Sequence, residues 1–335
     1  MSTPQTQAEG SNSSLILHPS SLCLVAGATG RLGVEMVREL KRRGVRVRAL
    51  VRTPSKAEAL RQLADEVCLA DSLKPETLGP ALEGVDRVFS CLGASVIPMP
   101  QYGRVPFTRL DWPANRNLVD AAARARVRKF VYVSVFGAER LPWSDFVKGH
   151  ELVVQHLRES GLDHSVLRPT GFFSAMEEIL TVASHGLIPE FNGGTARTNP
   201  IHEEDLAVVC ADAFDWPSGT EKDVGGPDAL TRREIAQLAV TALRKKALTV
   251  NVPVGLLALG GRLVRPLNPR VGHLFTFIAK ILVDDFVAPA YGRHHIADYF
   301  EQRARELYGD LTQPNLSNHR AHGAHRGGTE GNSQG

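Results

Sequence analysis

The chain has 335 residues, with 39 Lys and Arg against 36 Asp and Glu, for a formal net charge of +3. So even a balance excludes a nucleic-acid binder built on bulk charge, and 43% hydrophobic residues supply a large core rather than a disordered or fibrous chain. Cys23, Cys68, Cys91 and Cys210 lie too far apart for a disulfide or metal framework. Three of them fall in predicted strands, so they read as small buried apolar residues in a reducing compartment, and a cytoplasmic location is expected.

In chain order, residues 1–19 are polar and lack a basic leader, and Leu15-Ile16-Leu17 is too short for a signal core, so a disordered N-terminal segment is expected. The apolar run from Cys23 to Ala26 then ends in Gly27-Ala28-Thr29-Gly30-Arg31-Leu32-Gly33. A helical pattern follows at once, with Leu32, Met36, Val37 and Leu40 on one face. Three glycines spaced G-x-x-G-x-x-G between a strand and a helix point to a dinucleotide site. Gly27 allows the tight turn, Gly30 lets backbone approach a pyrophosphate, and Gly33 lets the helix pack on the strand. The phosphates would meet free N–H groups at the helix N-terminus.

The second strand, Val45 to Val51, ends at Arg52, with Thr53, Ser55 and Lys56 beside it. NAD sites usually carry an acid here for the ribose 2′-hydroxyl; an arginine accepts a 2′-phosphate instead. NADP(H) is therefore expected as the preferred cofactor, with NAD(H) as the alternative. Arg31, inside the glycine loop, could reach the same phosphate.

Further apolar strands are expected at 66–71, 86–93, 129–135 and 163–169, with helices at about 111–125 and 145–160. Strands alternating with helices of this length imply βαβ units, hence a Rossmann-type doubly wound parallel sheet over residues 20–170. Its ligand would bind beyond the carboxyl ends of the strands, where Gly27–Gly33, Arg52, Asp71, Leu92-Gly93, Ser134 and Pro169–Phe173 converge. The segment 94–110 is long and rich in Pro, Gly and aromatics, and Tyr102 in it offers a phenol or is a surface aromatic.

Residues 171–311 read as a smaller, mainly helical substrate lobe. Two apolar stretches, 254–264 and 271–283, are broken by charges, and neither reaches the ~20 residues that span a bilayer. A core helix pair is the plain reading; a lid, an oligomer contact or a peripheral membrane contact stay open, as do a monomer and a homodimer. Asp284-Asp285 has no third ligand in view, and no metal is expected. The tail, 312–335, with His319, His322 and His325, reads as disordered.

These motifs resemble the short-chain dehydrogenase/reductase superfamily, in its atypical, NmrA-like branch of NAD(P)H-binding proteins. The resemblance rests on Gly27 to Gly33, Leu50-Val51-Arg52, Ala70-Asp71-Ser72-Leu73, the stretch from Lys148-Gly149-His150-Glu151 to Ser160-Gly161-Leu162-Asp163, and Leu167-Arg168-Pro169-Thr170-Gly171-Phe172-Phe173. Asn117 to Ala122, Ile201 to Ala207, and Gly225-Gly226-Pro227 to Ala236 extend it over about residues 20–240.

The resemblance implies that Thr29 and Arg31 contact cofactor phosphates and that Asp71 binds the adenine amino group, with Ser72 and Leu73 beside the ring. Leu92 and Gly93 would line the adenosine ribose, and Pro169 to Phe172 would hold the nicotinamide. A strand-end turn cap is the other reading of Asp71. Most catalytic members carry Tyr-x-x-x-Lys on the helix after strand five. Here Lys148 takes the Lys place and Ser144 stands where Tyr is expected. An aliphatic hydroxyl is a poor proton donor near neutral pH. Lys148 as acid, base or ribose ligand, and Ser134 as the group polarising a substrate carbonyl, are the implied catalytic pair. His150 and His156 read as packing or surface residues.

The function expected is reduction of a lipophilic or aromatic carbonyl or quinone-like small molecule by NADPH. The missing Tyr supports a rival, a non-catalytic NADP(H)-binding regulator or assembly factor; a sugar epimerase ranks third, because its chemistry needs that Tyr.

Overall fold

The structure is a computed structural model that describes residues 21–93 and 103–309. Tyr102, the tail histidines and the two expected disordered segments, 1–19 and 312–335, lie outside the described residues.

Seven parallel strands form the central sheet: β1 (Leu22–Ala26), β2 (Arg46–Val51), β3 (Glu66–Leu69), β4 (Arg87–Ser90), β5 (Lys129–Val133), β6 (His164–Pro169) and, from the C-terminal part, a seventh at Thr220–Val224. Their spatial order is β3-β2-β1-β4-β5-β6 followed by the seventh. The order reverses between β1 and β4, which is the switch point where such sheets bind ligand. Pairing of Ala26 with both Leu50 and Ser90 brings the ends of β1, β2 and β4 level there.

Both faces of the sheet are covered, so its strands read as near-continuous apolar runs. In β1, Cys23 and Val25 enter one core with helices α1 (Arg31–Arg42) and α2 (Pro54–Arg61). Leu22, Leu24 and Ala26 enter the other, with α3 (Leu78–Leu82), α4 (Asp111–Arg124) and α5 (Asp145–Glu159). The four cysteines are free; Cys23 and Cys210 are buried, while Cys68 and Cys91 are half-buried.

The expected doubly wound sheet with a helical lobe is present, but the chain does not leave the sheet at residue 170. Beyond it come α6 (Glu177–Ser184), β7 (Leu187–Phe191), β8 (Arg197–Thr198) and α7 (Glu203–Asp212). Helix α7 returns to the Rossmann core through Leu206, Ala207 and Cys210, and the seventh strand, β9, pairs with β6 from Ser165↔Thr220 to Pro169↔Val224. The sequence of β9, Thr-Glu-Lys-Asp-Val, has no apolar run. Its sheet place comes from backbone pairing at an edge, where charges are tolerated.

The lobe proper adds β10 (Leu230–Thr231), α8 (Arg232–Ala242), β11 (Leu248–Val252), α9 (Val254–Val264), α10 (Pro269–Ile281) and α11 (Ile296–Tyr308). Helices α6, α8 and α11 share one core around Phe173, Ile235 and Phe300. Helix α10 packs on α5 through Leu274 and Phe277, against Leu141 and Val147.

Candidate functional site

The glycine loop is a backbone cradle. Gly27 sits at φ +89°, where a side chain is strained, and its N-terminal neighbours end β1 directly beneath. A Cβ on Gly33 would lie 2.1 Å from the Gly27 carbonyl oxygen, so only glycine lets α1 start this close to β1. The amide of Gly30 donates to the Gly27 oxygen at 2.9 Å and closes the turn. Gly30 then caps α1 without a side chain, and no acid stands in the first turn. The first-turn amides of Arg31, Leu32 and Gly33, which have no partner further back in the helix, therefore face outward beside the positive end of its dipole. Leu32 contributes only that amide, because its side chain is buried in the core. Thr29 is exposed at the lip.

Arg52, at the end of β2, is exposed and has no hydrogen bond or ion pair among the described residues; Lys56 lies exposed in the first turn of α2. Arg31 differs. Its guanidinium pairs with Glu177 of α6 at 2.9 and 3.0 Å. Burial disfavours the Glu177 charge, but Tyr299, Arg31 and Arg303 outweigh it and hold its carboxyl below the ordinary range. In the structure Arg31 is thus tied to the lobe, whereas the Arg52 guanidinium has no partner among the described residues.

Asp71 makes the turn cap: its Oδ1 accepts the Leu73 amide at 3.0 Å, which leaves Oδ2 for a ligand. Ser72 is buried, and its carbonyl accepts from Asn117 at 2.9 Å. The end of β4 is fixed by Asn115, which sequence reasoning did not single out. Buried Asn115 accepts from Ser90 at 2.7 Å and donates to the Leu92 carbonyl at 3.0 Å. Leu92 and Gly93 are thereby held beside the cradle.

Next to Gly93 stands His150. A Cβ on Gly93 would lie 3.7 and 3.8 Å from its Cε1 and Nε2. The His150 Nδ1 meets the Tyr132 hydroxyl at 2.7 Å in the interior. Burial and the Arg168 guanidinium push the imidazole pKa down to about 4, and burial pushes the Tyr132 phenol well up. Both groups are neutral at pH 7. Among the described residues the Tyr132 hydroxyl has no other hydrogen-bond partner, so it donates to Nδ1 and leaves the His150 proton on Nε2, on the Gly93 side. The sequence gives no sign of this pair, since Tyr132 reads as an ordinary strand residue and His150 as packing.

The expected catalytic pair lies elsewhere, with Lys148 on α5 and Ser134 just past the end of β5. Ser134 is buried, donates to Glu151 at 3.1 Å and accepts from Arg168 at 3.4 Å. Arg168 also pairs with Glu151, and with Glu221 of β9 at 3.0 Å. Lys148 is exposed and lines an open cleft of about 600 Å³ with Glu151, Arg168, Glu221 and Asp223. No residue of the glycine loop, nor Gly93, lines that cleft. Ser144 is the N-cap of α5, accepting from the Val147 amide at 3.5 Å, so its hydroxyl serves the helix end. Pro169 and Phe172 flank the turn after β6. The Pro169 carbonyl accepts the Phe136 amide, and Phe172 bridges Ile201 beside the Rossmann core.

Among the described residues one group has metal-ligand character: His202, Glu204 and His294, with ligand atoms within 4.8 Å of one another. The His202 Nδ1 accepts the Glu204 amide at 3.2 Å as the cap of α7, which puts the neutral ring's proton on Nε2 and opposes ligation there. Asp284 pairs with Lys280, and Asp285 accepts the Arg197 amide through Oδ1.

A family model described as NAD(P)H-binding matches residues 27–217. An Arabidopsis thaliana chloroplast protein, high chlorophyll fluorescence phenotype 244, is 29% identical over 74% of this chain, and the match spans 62% of its own length. The photosystem II assembly factor of Synechocystis is 29% identical, over 70% of this chain and 71% of that protein. The Arabidopsis chloroplastic divinyl chlorophyllide a 8-vinyl-reductase is 25% identical, over 84% and 76%. In three dimensions the chain superposes on an NADPH-dependent quinone oxidoreductase of Escherichia coli, complexed with NADPH, with a TM-score of 0.67 at 22% identity, over 84% of this chain and 99% of the other. That likeness is one of fold, a Rossmann-type α/β fold. The family match covers more than half of the sequence and includes the whole cradle, so this chain belongs to the NAD(P)H-binding family.

Proposed function

We propose that the protein is an NADPH-dependent reductase of a lipophilic or aromatic carbonyl or quinone-like small molecule. The observation that carries the cofactor half is the cradle: a helix N-terminus that no side chain caps, approached through three glycines, with an unpaired Arg52 at the end of the neighbouring strand. Gly27, Gly30 and the amides of Arg31 to Gly33 would hold the pyrophosphate, Arg52 with Lys56 the 2′-phosphate, and the free oxygen of Asp71 the adenine. Leu92 and Gly93 would line the ribose, and Pro169 and Phe172 the nicotinamide end. When bound, NADPH supplies the hydride.

The chain's own part is to orient and polarise. In this reading the neutral His150 Nε2–H donates to a hydroxyl or carbonyl oxygen beside Gly93, held in its tautomer by Tyr132. A neutral imidazole donor of this kind stabilises developing negative charge without giving up a full proton. Ser134 and Lys148 then act from the neighbouring cleft, Ser134 by fixing Glu151 and Arg168, and Lys148 by relaying from solvent the proton that the reduced oxygen takes up.

A second reading has its own support. The position of the usual Tyr is a helix cap, and a relative carries the name of an assembly factor. This reading makes the chain an NADP(H)-binding factor without turnover. Fluorescence titration with NADPH, followed by single-turnover oxidation against a panel of quinones and enones, separates the two. Oxidation by one compound class supports the reductase. Tight binding with no oxidation by any member of the panel rejects the quinone-like substrate and favours the binding factor.

A further inference from the structure

Helix α9 is the outermost layer on its side of the molecule: the sheet carries α5, α5 carries α10, and α10 carries α9. Its inner face is closed on α10 at backbone distance. A Cβ on Gly261 would lie 2.9 Å from the Gly272 oxygen, and one on Gly272 would lie 2.6 Å from the Arg265 Cα. The opposite face carries Leu256, Leu259 and Leu263, spaced three and four apart, and the line continues at Leu267. They are 60, 50, 68 and 70% exposed. Single exposed leucines are ordinary, but four along one line form a patch.

The charge along this stretch of the chain is of one sign. From Ile235 to Val283 the sequence has no Asp or Glu and seven Lys or Arg. Arg262 and Arg265 flank the leucines, and Arg244, Lys245 and Lys246 precede β11, which runs into α9 and exposes Leu248 and Val250. Arg244, Lys246, Arg262 and Arg265 form no ion pair among the described residues. Glu190, on the strand paired with β11, is neutralised by Arg233 at 2.6 Å. An apolar stripe rimmed by unpaired cations, on a helix too short to cross a bilayer, is the chemistry of a helix that lies in a membrane interface.

We propose that the outer face of α9 docks on the surface of an anionic lipid bilayer, with the leucines entering the acyl boundary and Arg262, Arg265 and the Arg244–Lys246 cluster meeting lipid phosphates. The rigid Gly261–Gly272 contact holds α9 as a platform, so docking needs no unfolding. The site is independent of the cofactor cradle, and its test does not depend on turnover.

The test is flotation of the full chain with phosphatidylcholine vesicles containing roughly 30% phosphatidylglycerol, against phosphatidylcholine alone, at low and high salt. The expected result is binding to the anionic vesicles at least about 10-fold tighter than to the neutral ones, weakened by salt. The double variant Leu259→Glu/Leu263→Glu should lose about 10-fold or more of that binding, with NADPH affinity unchanged as the check on folding. Arg262→Glu/Arg265→Glu should also weaken it and flatten its salt dependence. No flotation with anionic vesicles at low salt overturns the proposal, as does flotation that the leucine variant leaves intact. A solution dimer that the leucine variant turns into monomers, with no vesicle binding in either form, assigns the face to a second copy and equally overturns it.

Discussion

The two ends of the cofactor cleft are built by different means. At the glycine turn the groups that face outward are backbone: the first-turn amides of α1, positioned by glycines whose missing Cβ atoms leave the space. At the β4–α5 rim every polar group is a side chain, and each is positioned by another: Asn115 by Ser90, His150 by Tyr132, Ser134 by Glu151 and Arg168. The cradle therefore tolerates almost no change of residue but carries no substrate preference. Within α5 the contrast sharpens. His150 is buried, neutral and beside Gly93, while Lys148, two residues back, is exposed and lines the charged cleft with Arg168.

The largest effect is expected at the cradle. Gly33→Val puts a branched side chain where even a Cβ would be 2.1 Å from a backbone oxygen. The protein should lose NADPH affinity by about 100-fold or more, or fail to fold, in fluorescence titration and thermal melting. Affinity within a few-fold of wild type would remove the cradle from the cofactor site.

The rim is tested by His150→Gln beside Lys148→Ala. Loss of a preorganised donor should lower the single-turnover rate by about 100-fold in His150→Gln, with NADPH affinity largely kept. Lys148→Ala should lower it less, because Lys148 acts from the neighbouring cleft. The reverse ranking would move the reacting oxygen to the cleft. The same variant carries a pH signature. The folded His150 pKa of about 4 lies below the unfolded value of about 6.5, so the unfolded chain takes up a proton that the folded chain refuses. The stability from the neutral ring is complete above about pH 6.5 and is lost as pH falls toward 4. In that window wild type should lose stability more steeply than His150→Gln, by up to about 1.4 kcal/mol per pH unit in urea titrations. Parallel slopes would mean that the ring is not held neutral.

This division also explains what could be read from the amino-acid sequence. Gly27 to Gly33 and Arg52 are legible because a backbone cradle is encoded by neighbours in the chain, and the alternating strands declare the sheet. The Tyr132–His150 pair and the Ser134–Glu151–Arg168–Glu221 network join residues 17 to 53 positions apart, so no local pattern announces them. Motif spacing points to Lys148, but spacing does not say which side of α5 faces Gly93, where the structure places His150. Strand β9 was missed for a related reason, because Glu221, Lys222 and Asp223 conceal an element whose place comes from backbone pairing.

Cofactor choice should respond more modestly. Arg52→Asp removes the unpaired guanidinium and supplies the acid that suits a ribose 2′-hydroxyl. NADPH should bind about 10- to 100-fold more weakly, with NADH unchanged or improved, as a charge-assisted contact of about 1.5–3 kcal/mol requires. An unaltered preference would shift the 2′-phosphate to Arg31 or Lys56.

The smallest effect tests how the two ends are joined. Glu177 holds Arg31 across the gap between glycine loop and lobe, and it also binds Arg303 at 3.1 Å and the Tyr299 hydroxyl. A phosphate at the cradle competes with this carboxylate for Arg31, so the ion pair opposes cofactor binding while it steadies the lobe. Arg31 is more than half exposed, so water screens much of the pair and its net strength is small. Glu177→Gln keeps a partner for Tyr299 but releases the charge on Arg31. NADPH should then bind a few-fold tighter at low salt, and the gain should fade as salt rises. Weaker binding in Glu177→Gln would show instead that the carboxylate supports the cradle by positioning Arg31, and that the two ends are cooperative rather than opposed.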